Sequence, residues 1–186
     1  MLRLTNATID DTVKPAIEWI DGKPVQKQMP TALHAFMAGL FWQALFTWAK
    51  IAAPGRGMVG VEWRFNVPPN SYETDSVVPD VAYLATYSDL TETENRYPRV
   101  PPDIVVEIVS PGDNEADVRK KREFYLSWGV KLVIIADPER LTVQTHERDG
   151  ETRLLTENDT LLSKAFPTLE IRLRDMFAEI EAFESA

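Results

Sequence analysis

Two short, nearly unbroken aliphatic runs constrain the fold of this chain more than any other feature. Asp103–Val109 reads DIVVEIV and Val130–Ala136 reads VKLVIIA, with helical periodicity from Asn114 to Trp128 between them. Such runs belong to strands covered on both faces, whereas a strand with one wet face alternates apolar and polar residues. Ser110-Pro111-Gly112 separates the first run from the helix. The flanking segments extend the sheet. Met58–Val67 (MVGVEWRFNV) alternates Val59, Val61, Trp63 and Phe65 with polar or small residues, which predicts one half-buried strand. Val77–Ala85 (VVPDVAYLA) predicts another, with Pro79 marking an edge or an irregular entry. Thr86–Arg99 is polar and predicts a loop, and Asp137-Pro138 a turn. Leu141–His146 predicts an outer strand, Asp149-Gly150 a hairpin turn, and Leu173–Phe183 a short terminal helix. Near the start, Asp21-Gly22 inside Ala16–Gln26 predicts a hairpin. This order predicts an α/β chain with a mixed central β-sheet flanked by helices.

With 186 residues and 44% hydrophobic composition, a single domain over 1–186 is expected. Within it, a hairpin and long helix span about 15–53 and the core about 57–150. The helix comes from Ala32–Ala49, 18 residues without a formal charge, the lower limit for a membrane span. His34, Gln43, Thr47 and a mid-span Trp42 oppose that reading. Thr31 and Pro54-Gly55 bracket it instead as a helix over Thr31–Ala53, buried in a core or a subunit interface. The opening MLRLTNATIDDT has no basic n-region ahead of an apolar stretch, so no secretory signal is expected. Zero cysteines exclude disulfides, thiolate catalysis and Cys-ligated zinc, and fit a reducing, cytoplasmic location. The net charge of -9 argues against a protein that coats nucleic acid or anionic membrane by bulk charge.

The residue that points to chemistry is Glu107, a carboxylate between Val106 and Ile108 in the first aliphatic run. Burying it is costly unless it is ion-paired or holds a metal, and the strand alone leaves both readings open. Asp80 lies near the start of another strand, in Val78-Pro79-Asp80-Val81. Two carboxylates on neighbouring strands can converge on one magnesium or manganese ion, which takes one or two protein carboxylates and keeps several waters. The Pro-Asp pair is not unique, since Pro102-Asp103 repeats it. On the following helix, Val118, Phe124, Tyr125 and Trp128 define an apolar stripe, and Lys121 falls inside it while Arg119 and Lys120 fall outside. Either Lys121 snorkels, or the Ser110–Gly112 turn folds the helix back and brings its ammonium to the carboxylates. An acid pair holding a metal beside a lysine suits hydrolysis of a phosphodiester.

The run Pro102-Asp103-Ile104-Val105-Val106-Glu107-Ile108-Val109-Ser110-Pro111, followed by Asp117, Lys121, Tyr125, Gly129-Val130 and Asp137-Pro138, resembles the Uma-two family of restriction endonucleases, within the PD-(D/E)xK nuclease superfamily. Pro79-Asp80-Val81, Ile20-Asp21-Gly22 and His34 fit the same pattern, so the resemblance covers about residues 15 to 150. It implies a restriction-endonuclease-like fold and a magnesium-dependent endonuclease that hydrolyses DNA, with Asp80 and Glu107 as metal-binding acids. Superfamily members commonly carry the lysine two residues after the second acid. That position is Val109 here, and Lys121 is the residue that matches the Uma-two pattern.

Other candidates fit bland roles. His34 reads as a buried structural histidine that could also donate to a carboxylate, His146 as solvated on its outer strand, and Glu62 as a surface acid with a possible ligand role. Ser110 has no histidine or acid at triad spacing, and no nucleotide-binding glycine pattern is present. The basic run Arg119–Arg122 is balanced by neighbouring acids, as in an ordinary charged helix. Two alternatives to an enzyme stand: a catalytically inactive DNA-binding or regulatory module, and a homo-oligomeric assembly protein built on Phe36, Phe41, Trp42, Phe46 and Trp48. A homodimer is expected, because two sites cut both strands of a duplex most simply.

Overall fold

The computed structural model describes residues 16–20, 22–68, 75–91 and 96–185. Asp21 of the predicted hairpin turn, the opening MLRLTNATIDDT and residues 92–95 of the predicted loop lie outside the described residues. The elements are β1 (Ile17–Ile20), β2 (Lys23–Gln26), α1 (Ala32–Ala52), β3 (Met58–Val61), β4 (Phe65–Asn66), β5 (Ser76–Val77), β6 (Val81–Leu84) and β7 (Ile104–Ile108). Then follow α2 (Glu115–Trp128), β8 (Leu132–Asp137), β9 (Thr142–Glu147), β10 (Thr152–Leu155), β11 (Thr160–Leu162), β12 (Glu170–Arg172) and α3 (Leu173–Glu184).

The main sheet has the order β10-β9-β8-β7-β6-β3, and the order β2-β1-β5-β4 forms a smaller one. The two aliphatic runs become β7 and β8 at the centre, paired in parallel with Val105 opposite Val133. A parallel pair needs a crossover, and α2 supplies it. The other pairings in this sheet are antiparallel, so the sheet is mixed, as predicted.

Strand alternation divides the core in two. Ile104, Val106 and Ile108 join Leu132, Ile134 and the α1 residues Met37, Phe41, Leu45 and Ala49 on one face. Val105, Val133 and Ile135 join Tyr125 and Trp128 of α2 on the other. Glu107 has the parity of Val105 and therefore faces α2. The α1 helix begins where Thr31 Oγ1 accepts from the His34 amide at 3.1 Å, a normal N-cap, and its buried side chains recur every four residues. Among the described residues no helix is long and apolar enough to cross a membrane. The α2 helix is capped by Asn114, whose Oδ1 accepts from the Ala116 amide at 2.8 Å, and it closes at Gly129 with φ 122°.

Three expectations are corrected. Met58–Val67 is not one strand: the chain turns at Glu62, with φ 43°, and Phe65–Asn66 pairs in the smaller sheet, leaving Val61 54% exposed. Val77–Ala85 is likewise divided between β5 and β6, with Asp80 at the bend. Finally, β9 is not an outer strand, because β10 pairs along it, and His146 is buried rather than solvated.

Candidate active site

The register of β6 and β7 sets Val81 opposite Val106. Carried one residue further, it places Asp80 across from Glu107, both at the end of the sheet where α2 begins its return. Asp80 is 4% exposed, and its Oδ2 accepts from the Ile108 amide at 2.7 Å. Lys27 Nζ lies 2.6 Å from Asp80 Oδ1, and His34 Nε2 lies 3.4 Å from the same oxygen. Burial would raise this carboxyl, but the His34 contact and the ammonium groups of Lys27 and Lys121 outweigh it and hold Asp80 well below its usual range.

The Glu107 side chain is held from α2. Lys121 Nζ donates to Glu107 Oε2 at 2.8 Å, and the Tyr125 hydroxyl donates to Oε1 at 2.7 Å. The spacing of Lys121 and Tyr125, four residues apart, puts both on one helix face. Burial pushes the Glu107 carboxyl up to about 7, against the pull of Lys121 and with the push of Asp80. Burial disfavours the charge on Lys121 as well, yet Glu107, Glu18 and Asp80 together raise its pKa. Burial and the adjoining carboxylates keep Tyr125 protonated and therefore a donor.

Two members were not singled out from the sequence. Glu18, on β1, places Oε2 3.0 Å from Lys121 Nζ and accepts from the Val78 amide through Oε1 at 2.7 Å. Its setting, Ile17-Glu18-Trp19-Ile20, carries the same signal as Glu107: a carboxylate within an apolar strand. Lys27 follows β2 and donates both to Asp80 and to the Val78 carbonyl, the latter at 2.8 Å. Nothing in its local sequence marks it.

His34 is not a core histidine. Its ring bridges Asp80 and Ser110, with Nδ1 2.9 Å from Ser110 Oγ, so the structure joins Ser110, His34 and Asp80 in a chain that sequence spacing concealed. Asp103 lies at the opposite end of β7, bound to the Ala85 amide and to Lys131, and plays no part in the cluster. Glu62 is exposed and does not line the cleft.

Glu18, Lys27, His34, Asp80, Glu107 and Lys121 line one cleft of about 250 Å³. Its inner wall sets three carboxylates, Glu18, Asp80 and Glu107, against two ammonium groups, one net negative charge when all are ionised, and Asp113 and Asp117 line the exposed rim. The carboxylates of Glu18, Asp80 and Glu107 offer oxygen donors, which suit a hard divalent cation. Among the described residues no three or more acidic or histidine side chains form a complete cage for a metal ion. Magnesium and manganese do not require one, and Asp80 and Glu107 are the pair that could hold such an ion.

A profile of the Uma2 family, described as "putative restriction endonuclease", matches residues 2–174. The chain belongs to the Uma2 family. The Uma2 assignment agrees with the fold: a "putative nuclease belonging to DUF820" from Anabaena variabilis ATCC 29413, solved by crystallography, is similar with a TM-score of 0.77. That protein is 23% identical, and the match covers 90% of this chain and 93% of the other. At that identity the likeness speaks for the fold. No curated protein matches the chain.

Proposed function

We propose that this Uma2 protein is a metal-dependent endonuclease that hydrolyses DNA phosphodiester bonds, as a single catalytic domain acting in a homodimer. The observation that carries the reading is the meeting of Asp80, Glu107 and Lys121 in one cleft. Asp80 stands at the bend that leads into β6, Glu107 lies on the adjoining β7, and the lysine comes from the crossover helix. Asp80 and Glu107 would hold magnesium or manganese. When bound, such an ion stabilises charge on phosphoryl oxygens and makes water a better nucleophile.

The chain's own residues supply the rest. Lys121 carries its ammonium at the cleft wall, where it offsets negative charge that grows on the phosphoryl group. Tyr125 and Lys121 fix the Glu107 carboxylate from two sides, so its orientation is set before substrate arrives. The Ile108 amide does the same for Asp80. His34, tied to Ser110, steadies the remaining Asp80 oxygen.

Plasmid DNA incubated with purified protein and magnesium or manganese should be nicked and linearised, and Glu107→Ala should abolish both. Metal-dependent cleavage that survives Glu107→Ala would overturn the assignment. DNA binding with no cleavage under either ion would favour an inactive module, a reading that draws on the protein partners already engaged by Asp80 and Glu107.

A further inference from the structure

The acids of the cleft hold two lysines, and the nuclease reading uses only one. Lys121 is locked between Glu107 and Glu18 from within α2. Lys27 comes from a different support: it follows β2, which is exposed along its length and, among the described residues, pairs only with β1. Its side chain is nonetheless 12% exposed, and its Nζ sits 2.6 Å from one of the two acids expected to bind metal. A lysine is a compact cation on a flexible stem, so this is a monovalent charge placed against the acid that a divalent ion would use.

The charge count gives the placement a consequence. Among the buried groups, with both lysines present, Glu18, Asp80 and Glu107 offer one surplus negative charge, too little to neutralise a divalent ion, while Asp113 and Asp117 add their screened charge only at the solvent-exposed rim. In a cleft of low dielectric, such an imbalance is costly. One phosphodiester anion makes up the difference, and the buried assembly then sums to zero. We propose that Lys27 is a built-in counter-ion that keeps the site's affinity for a free divalent cation low, so that metal and the phosphodiester backbone are taken up together. This rests on Asp80 and Glu107 being the metal-binding acids.

The test is manganese titration at pH 8, followed by electron paramagnetic resonance of the unbound ion. It is run on protein alone, on a short DNA duplex alone and on the two together, before any cleavage shows on a gel, and the ions held by the duplex alone are subtracted. Wild-type protein should bind Mn²⁺ weakly alone and at least tenfold more tightly with duplex. Lys27→Met and Lys27→Gln should bind Mn²⁺ at least tenfold more tightly without duplex and gain less from adding it. Lys27→Arg should behave as wild type. Lys27→Gln keeps a donor for the Val78 carbonyl and serves where Lys27→Met does not fold, with circular dichroism checking each variant. Equal Mn²⁺ affinity in wild type and Lys27→Gln overturns the role of Lys27 and leaves the nuclease reading standing. Absence of Mn²⁺ binding in every variant, with and without duplex, overturns both.

Discussion

Replacing Lys121 with methionine removes the one cation that neutralises two buried carboxylates at once. Its Nζ lies 2.8 Å from Glu107 and 3.0 Å from Glu18, and all three side chains are 13% exposed or less. Breaking a buried pair by deleting one partner typically costs about 3–5 kcal/mol, because a charge is left without compensation. A chain of this size has about 5–15 kcal/mol in total, so the variant should fold but unfold at much lower urea. The loss should depend on pH. In wild type, the Glu107 carboxyl stands at about 7 against 4.5 for the free side chain. The folded state therefore holds a proton that the unfolded state releases, and stability falls as pH rises from about 4.5 through 7, by roughly 3 kcal/mol in the limit. Without Lys121 the Glu107 carboxyl moves higher still, the fall continues past pH 7, and the gap from wild type widens. Urea melts at pH 5 and pH 8 should show a smaller difference at the lower value, where the Glu107 partner is protonated, and about 3–5 kcal/mol at the higher. Adding Glu107→Gln to Lys121→Met should recover part of the loss, since the second substitution removes a charge the first left unpaired. Wild type and variant within about 1 kcal/mol at pH 8, or a gap that does not change with pH, would refute the coupling.

Two further outcomes follow from single residues. His146 is buried and its pKa lowered to about 4, by burial first and by Arg122 second. Its contribution to stability is complete above its free value of 6.5 and is lost as pH falls toward 4. With two histidines in the chain, proton NMR should show the His146 ring unchanged down to about pH 5, and a midpoint between 6 and 7 would contradict the burial. At Gly57 an added Cβ would lie 2.6 Å from the Tyr83 ring, which is buried and held edge-on by Trp48. Gly57→Ala should cost about 1–3 kcal/mol in urea melts, with little effect on metal binding.

What was legible in the sequence was whatever pays its energetic cost locally. Glu107 stood out because a carboxylate in a strand buried on both faces demands a partner wherever that strand lies. Lys121 stood out because helical angle alone puts it on the packed stripe. The α1 helix could be read from Thr31 to Ala53 because its cap and its stop are both local. The misread strands show the limit of periodicity. Alternation through Met58–Val67 records which residues are apolar, but not that the backbone turns at Glu62 and enters another sheet. His146 was misplaced because its burial is decided by a neighbouring strand. Lys27 and Ser110 reach the site through contacts 53 and 76 residues apart in sequence, which no local pattern reports.

The net charge of -9 bears on the proposed chemistry through where positive charge is placed. On α2, Arg119 and Lys120 face solvent beside Glu115, Asp117 and Glu123, so the helix exterior offers phosphate little net attraction. The cation it turns into the cleft is Lys121, already committed to two acids. Lys27 is committed to a third. A duplex approaching this cleft therefore meets lysines whose charge is spent on carboxylates. On the proposed reading, a divalent ion held by Asp80 and Glu107 would turn the buried part of the cleft positive. Attraction to DNA would then be created at the site of reaction rather than spread over the surface, which is how an acidic nuclease with few phosphate contacts is physically consistent.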